Sequence, residues 1–336
     1  MMTSETTEPE KPAPLAGKSP WLKIGIVVGG LAVAVSLMVL VFLAPSINSG
    51  ADDLPVGISG PAQATAQLQQ KLEAAQPGAF DFKSYDDAAA VVDATHDRDV
   101  VGGISIETDG SVKVTVAGGA GTPYAQLLKT LGASLASAGQ KVSYTDVAPL
   151  TADDPNGSGL SALGLPLAFG GMISAVLLST LLKNQPLYKI AGSLAGSTVV
   201  GFVVVAILQF GFGSVDGNYF LTALSLSLGV AAISLFVLGM ESLLGYAGFG
   251  VGGLVMMFIA NPLSGMATGW QWLPSPWGFI GQLLPIGSSG TLIRSVAFFD
   301  GEGIGMPLSV LFNWVIVGVA LTIGGGVKKQ QAAVAA

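Results

Sequence analysis

The stretch IGIVVGGLAVAVSLMVLVFLA, residues 24–44, is the first of a series of uncharged, apolar runs that decide the fold. A helix of about 20 apolar residues is long enough to cross a hydrocarbon core of about 30 Å, so this run predicts a transmembrane helix. Three lysines precede the run, and Asp52 and Asp53 follow it. Because positive residues favour the cytoplasmic side of a membrane, the amino terminus is predicted to be cytoplasmic.

The segment before this run, residues 1–23, is predicted to be a disordered cytoplasmic tail because it is rich in Pro, Thr and Glu. Gly17, Lys18 and Ser19 resemble the end of a phosphate-binding loop. That loop needs a glycine where Pro12 stands, and no strand precedes it. A cleaved signal peptide is the alternative to an anchoring helix, but the apolar run is long for one and ends in a poor cleavage site.

Composition separates the chain into a charged first part and an apolar second part. Of the 336 residues, 51% are hydrophobic and only 10% are charged, whereas soluble domains carry about 25% charged residues. The formal net charge of −7 belongs mainly to the first part. No basic face is available to neutralise phosphates, so no nucleic-acid partner is expected. Cysteine is absent, which removes thiolate metal sites and cysteine nucleophiles.

Residues 45–159 are predicted to form a small extracytoplasmic α/β domain inserted after the first helix. The clearest local signal is a hairpin around Asp109 and Gly110. Strands are predicted at 54–59, 80–85, 101–107, 111–116 and 142–147. Helical patterns are predicted at 61–75, from a cap at Asp86 or Asp87 to 96, and at 123–138. About a hundred residues suffice to bury a core of their own.

The second part, residues 160–327, is predicted to be a membrane domain with five further transmembrane helices. These are expected at about 160–182, 190–212, 220–240, 243–259 and 308–327. Alternating sides from a cytoplasmic start place Lys183, Lys189 and the carboxyl-terminal tail 328–336 in the cytoplasm. The predicted fold is therefore an α-helical polytopic membrane protein with six transmembrane helices and an inserted α/β domain, located in a bacterial plasma membrane.

The loop 261–306 differs from the other connections. It contains Trp270, Trp272 and Trp277, several prolines and an apolar stretch that is too short to span a membrane. Tryptophan favours the membrane–water interface. The loop is therefore predicted to lie on the outer membrane face, or to dip into it, as short helices.

Residues for catalysis are nearly absent from the sequence. His96 is the only histidine, and no GxSxG elbow is present. One histidine with scattered carboxylates does not make a zinc site. We therefore expect no enzymatic activity, no cofactor and no metal site. His96 is interpreted as part of a solvated helix end, with a metal ligand or catalytic base as the alternative.

Glu241 is the ionisable residue that comes nearest to the interior of a predicted span. Charged groups are costly in a bilayer and therefore often functional. Glu241 is interpreted as lying at the cytoplasmic headgroup level, and the alternative is that it faces a partner or helps to close a gate. Gln209 and Asn313 are interpreted as helix–helix hydrogen-bonding residues. No series of buried charges could carry protons or sodium, which favours an apolar or amphipathic substrate over an ion.

The order of elements, together with three short motifs, resembles a known family of membrane proteins. The motifs are LPVGI at 54–58, DRDVVGGI at 97–104, and a third that comprises LPIG at 284–287, LIRS at 292–295 and FF at 298–299. With one helix, a large external insertion and five further helices, the chain resembles the membrane subunit of ABC-2-type transporters. It is most similar to the YhgE/Pip (phage-infection-protein-like) permeases.

This resemblance implies a homodimer or paired permease that exports an apolar or amphipathic compound, driven by a separate cytoplasmic ATPase. The family's docking element corresponds here to residues 183–189, which is short for such an element. Candidate coupling or gating residues are Lys183, Pro186, Lys189 and Glu241, and candidate outer-loop residues are Pro285, Gly287 and Arg294. The alternative is a non-transporting, membrane-anchored surface protein whose external domain binds a ligand, a phage or an envelope component.

Overall fold

The computed structural model describes residues 20–335, which are mostly helical. The chain divides into two compact units, residues 1–40 and residues 41–336. Helix α1, Pro20–Ile47, begins in the first unit and contains the predicted span 24–44. Residues 1–19 of the predicted disordered tail lie outside the described residues. They include Gly17, Lys18 and Ser19, which resemble the end of a phosphate-binding loop. Residues 20–23 are helical, so the tail was predicted to extend four residues too far.

Five strands and three helices follow α1 and form an α/β part. The strands are β1 Leu54–Ser59, β2 Phe80–Ser84, β3 Gly102–Ile106, β4 Val112–Val116 and β5 Val142–Asp146. The helices are α2 Ala62–Ala75, α3 Ala88–His96 and α4 Thr122–Ser137. All eight elements lie within a residue or two of their predicted positions. The α/β part belongs to the same compact unit as the helices that follow it.

The strands form one mixed sheet in the order β2-β1-β3-β4-β5. Only β3 and β4 pair antiparallel, as the predicted hairpin, and the other neighbours are parallel. Val91 of α3 packs where Gly57 and Gly103 leave space on one face. Leu128 of α4 packs beside Gly102 on the opposite face, because adjacent residues of a strand point to opposite faces. The sheet is thus covered by helices on both faces.

Four helices of the second unit are long and apolar enough to cross a membrane. They are α6 Gly164–Leu181, α7 Pro186–Ala206 with a π-helical end Ile207–Gly211, α8 Tyr219–Leu244 and α12 Gly305–Ala335. A short helix α5, Ser158–Ser161, precedes them. With α1, the described residues contain five candidate spans, so the chain is a helical membrane protein by length and composition.

The predicted fifth span, 243–259, corresponds to a shorter structure. Helix α9, Tyr246–Gly253, continues into a π-helical segment, Leu254–Ala260, and together they fall below the length of the five candidate spans. That this segment crosses the membrane, which would bring the number of transmembrane helices to six, therefore stays a prediction.

Helix α8 lies at the centre of the bundle and packs against α6, α7, α9 and α12. Helix α7 runs antiparallel to α8, since Lys189 contacts Glu241 near one end and Gly201 lies beside Ala223 near the other. Helix α12 runs parallel to α8, since its Gly318 packs against the backbone of Leu235 and Gly325 against Ser242. These directions are those that alternating spans require.

The predicted outer loop 261–306 folds into a helical hairpin, α10 Trp277–Gln282 and α11 Pro285–Phe298, preceded by a 3-10 turn at Trp270–Trp272. Helix α11 runs antiparallel to α8, with Ala297 beside Gly217 and Ser289 beside Gly229. From its amino-terminal end, α8 rises about 15 Å to Gly229 at about 1.5 Å per residue. The α10–α11 hairpin therefore reaches roughly midway along α8.

Candidate functional site

A buried ion pair joins α7 to α8 near the carboxyl-terminal end of α8. The Nζ of Lys189 lies 2.9 Å from Glu241 Oε2, and it also donates to Ser179 Oγ of α6 at 3.0 Å. The two charged side chains are only 7% and 11% exposed. Burial of a lone charge is strongly unfavourable, and a buried partner offsets much of that cost. The contact therefore ties three helices together at one point.

The start of α7 explains this pairing and corrects one prediction. Residue 190 was predicted to begin the span, which left Lys189 in a cytoplasmic loop. In the structure the helix begins at Pro186, whose fixed backbone angle suits the first helical turn, so Lys189 lies inside α7 and is buried. Pro186 packs near Gly326 of α12, and Lys183 is exposed in the preceding loop. All four predicted coupling residues thus lie at one end of the bundle, and Lys189 and Glu241 are in direct contact.

Serine side chains continue the polar contact between α7 and α8 towards the middle of the bundle. Ser193 Oγ donates to Ser234 Oγ at 2.8 Å, and both residues are fully buried. Two turns further along α8, Ser227 Oγ lies 3.4 Å from Thr198 O of α7 and also donates to Ala223 O of its own helix. Small side chains allow two helices to approach closely and to form hydrogen bonds across an apolar interface. No sequence pattern indicates which serines face one another.

Arg294 joins the α10–α11 hairpin to the α/β part. It is 6% exposed, and its guanidinium donates to Gly119 O at 2.9 Å and to Met266 O at 2.7 Å. Burial lowers the pKa of Arg294. The other two predicted outer-loop residues shape the hairpin, since Pro285 begins α11 and Gly287 packs against the Gly281 carbonyl with no room for a side chain.

Arg98, which follows α3, makes a second contact across the same junction. Its guanidinium donates to Ser295 Oγ at 2.6 Å and to Thr291 O at 3.2 Å. It also lies 4.8 Å from the centre of the Phe299 ring. Burial, with a contribution from nearby Arg294, lowers the pKa of Arg98 to about 10. The DRDVVGGI and LIRS motifs therefore meet in space, although Arg98 was not among the predicted site residues.

His96 is the last residue of α3, as the interpretation of a helix end has it, and its 34% exposed side chain also borders this junction. Its Nε2 lies 3.6 Å from Asp300 Oδ2, in the loop after α11, and its ring lies 6.3 Å from that of Phe299. The interpretation of a partly solvated helix end therefore agrees with the structure, which adds the contact with the loop after α11. Among the described residues, no group of three or more His, Cys, Asp or Glu side chains is arranged to hold a metal ion.

The two predicted helix–helix hydrogen bonds have different outcomes. Gln209 Nε2 donates to Gly217 O at 3.0 Å, which links the end of α7 to the loop before α8. Asn313 donates to Ser309 O within α12 and is exposed, so it makes no contact of the predicted kind.

A groove of about 810 Å³ lies between α7, α8, α11 and α12. Most of its wall is apolar. The apolar wall residues include Leu194, Leu221, Leu224, Leu228, Leu308 and Phe312. Asp300 and Glu302 lie at the end of the groove where α8 begins. Sequence reasoning predicted an apolar path but could not locate it, because its walls come from four separated segments.

Comparisons of the chain with protein-family models, with curated proteins and with solved structures found no match. Function is therefore inferred from the geometry of the ion pair, the junction and the groove.

Proposed function

We propose that the protein is an ABC-2-type membrane permease that exports an apolar or amphipathic compound with a separate cytoplasmic ATPase. In this proposal it is a six-span protein of the bacterial plasma membrane, both termini are cytoplasmic, the α/β part is extracytoplasmic, and two copies form a homodimer. The main support is that one bundle contains an apolar groove along the first half of α8 and a buried ion pair near its other end.

The groove supports a transport function over simple anchoring. Its volume of about 810 Å³ falls within the range of about 300–1,000 Å³ that is usual for small-molecule sites. Helices that serve only as an anchor need an apolar exterior and no such space between them. The leucine-rich wall suits a compound with a large apolar surface.

The ion pair supports coupling to a cytoplasmic partner. Lys189 follows directly after Leu187 and Tyr188, which are 69% and 68% exposed. A partner bound to these two side chains would act on the first turn of α7, and the contact from Lys189 to Glu241 would carry that movement to α8. Intramembrane ion pairs commonly mark functional positions.

The junction supports a role for the α/β part at the exit of the pathway. Arg98 and Arg294 connect it to α11, which packs against α8 and lines the groove through Leu292 and Val296. A shift of α8 would therefore reach the α/β part through a single short helix.

The test has two parts, of which the first is transport. Inside-out membrane vesicles from cells that express the chain should accumulate a fluorescent amphiphile when ATP is added. The Glu241→Gln variant should lose most of this uptake. Vesicles without the chain provide the background rate.

The second part is capture of the ATPase. A photoreactive amino acid at Tyr188 should crosslink to an ATPase, whereas the same group at Phe220, which is 65% exposed at the opposite end of the bundle, should not. Absence of both ATP-driven uptake and a crosslinked ATPase would contradict the proposal and favour the anchored surface protein.

A further inference from the structure

The charged residues that line the groove are acidic. Among the described residues that line the groove, the charged ones are Asp300 and Glu302. Both are exposed at the end where α8 begins, and the Asp300 side chain is 96% exposed. The Arg98 side chain packs beside Gly303, and its guanidinium donates to Ser295 Oγ and Thr291 O. With two carboxylates against one guanidinium, the net formal charge at the mouth of the groove is negative.

Hydroxyl groups inside the groove present acceptors rather than donors. Thr198 Oγ1 donates to Leu194 O at 2.9 Å, Ser225 Oγ to Leu221 O at 2.8 Å, and Ser227 Oγ to Ala223 O at 2.6 Å. Because each hydroxyl has one proton, these three groups offer an occupant only their oxygen lone pairs. Oxygen lone pairs stabilise a positive charge or a donor, and they repel an anion.

The groove is long and polarised from end to end. Its lining on α8 extends from Asn218 to Ala231, which corresponds to about 20 Å at about 1.5 Å per residue. The carboxylates lie at the Asn218 end, and leucines continue towards the Ala231 end. An occupant that matches both features has a positive group at one end and an apolar body.

We infer that this groove binds amphipathic cations, with the positive group at Asp300 and Glu302 and the apolar body along α8. The inference rests on the proposed function in that it names the substrate class of the proposed permease. His96, whose Nε2 lies 3.6 Å from Asp300, places the α/β part at the mouth of the site.

The test uses two probes of nearly equal size and opposite charge, tetraphenylphosphonium and tetraphenylborate. Binding of each to the purified full-length chain in detergent is measured by titration calorimetry, with empty micelles subtracted. The wild-type chain should bind the phosphonium about tenfold more tightly than the borate, because two nearby carboxylates favour the cation.

The matched variants separate a local effect from a general change in charge. Asp300→Asn combined with Glu302→Gln should weaken phosphonium binding about tenfold and leave borate binding unchanged or stronger. Asp300 has φ of +51°, a conformation that asparagine tolerates, so the variant should fold. Asp86→Asn combined with Asp93→Asn removes two exposed carboxylates of the α/β part and should leave both affinities within about twofold.

Equal binding of the two probes, or equal loss in both double variants, would overturn the inference. A second copy that covers the groove would also overturn it. In that case Leu221→Ser with Leu224→Ser would convert a dimer to a monomer in light scattering, and the phosphonium would not bind. If the phosphonium binds through the carboxylates but ATP-driven export is absent, the groove assignment holds and the proposed function fails. If export occurs and is unchanged when both carboxylates are replaced, the proposed function holds and the inference fails.

Discussion

The environment of Lys189 differs from the predicted one because α7 begins earlier than predicted. By composition it belongs to a lysine-containing loop, and the apolar run begins only after it. Because Pro186 begins the helix, Lys189 points into the bundle and meets Glu241, which lies far away in the sequence. The sequence identified both residues as candidates, but it could not pair them, since the pairing depends on how α7 and α8 pack.

The ion pair predicts that removing either Lys189 or Glu241 lowers the stability of the chain strongly. Glu241→Gln or Lys189→Met alone should lower the free energy of unfolding by about 3–5 kcal/mol, because each removes the opposite charge that offsets the cost of burying the other. The double variant should cost less than the sum of the single ones. Unfolding of the purified chain in detergent, measured for all four proteins, checks this. Additive losses would show that the contact contributes no coupling energy.

Asp154 predicts an acid-sensitive contribution to stability outside the candidate spans. Its carboxylate accepts from the backbone N–H groups of Ser158 at 2.8 Å and Gly159 at 2.7 Å. Burial acts to raise the pKa of Asp154, but these hydrogen bonds and one from Ser214 outweigh it, and the pKa lies below its ordinary value.

Because the pKa of Asp154 is lower in the folded chain, its stabilisation is present above the unfolded value of about 3.9. It is lost as the pH falls through the folded value. Asp154→Asn should therefore be less stable at pH 6 and lose less stability between pH 6 and pH 3. Thermal unfolding midpoints across this range check the effect, with Asp86→Asn as the control. Parallel pH curves for wild type and Asp154→Asn would contradict it.

At the scale of elements, local patterns predicted the α/β part well and the α10–α11 hairpin only in outline. The hairpin of β3 and β4 follows from Asp109-Gly110 between alternating segments, which is a short-range signal. The depth to which α11 reaches depends on glycines of other segments. Ser289 fits beside α8 only because residue 229 is glycine. Such long-range fits leave no periodic pattern in a sequence.

The contact between α8 and α12 predicts different effects for two glycines of the same helix. A Cβ at Gly318 would lie 2.6 Å from the backbone carbonyl carbon of Leu235, whereas a Cβ at Gly324 would meet nothing within 4 Å. Gly318→Ala should destabilise the chain by about 1–3 kcal/mol, because overpacking forces the helices apart. Gly324→Ala should leave stability unchanged or slightly raised, since alanine favours helices. Unfolding midpoints in detergent measure both, and equal midpoints would show that α12 does not pack closely at Gly318.

At the scale of the whole molecule, the direction of the helices bears on the number of spans. Helices α8 and α12 run parallel, so the chain must return along the bundle between them. The segment Tyr246–Ala260 runs antiparallel to α8, with Gly248 beside Met240 and Gly252 beside Val237. At about 1.5 Å per residue it covers about 20 Å, which is less than a hydrocarbon core of about 30 Å. Its short length places it outside the five candidate spans, and the parallel direction of α8 and α12 favours the prediction that it crosses.

The absence of cysteine makes this crossing testable with single cysteines and a membrane-impermeant maleimide. In intact cells, Lys141→Cys and Glu302→Cys should be labelled, because both side chains are exposed and are predicted to lie outside. Lys183→Cys and Tyr246→Cys, also exposed, should be labelled only after the membrane is permeabilised. Labelling of Tyr246→Cys and Glu302→Cys from the same side would show that residues 246–260 do not cross. If that side is the cytoplasmic one, Glu302 lies in the cytoplasm and the groove cannot open outwards.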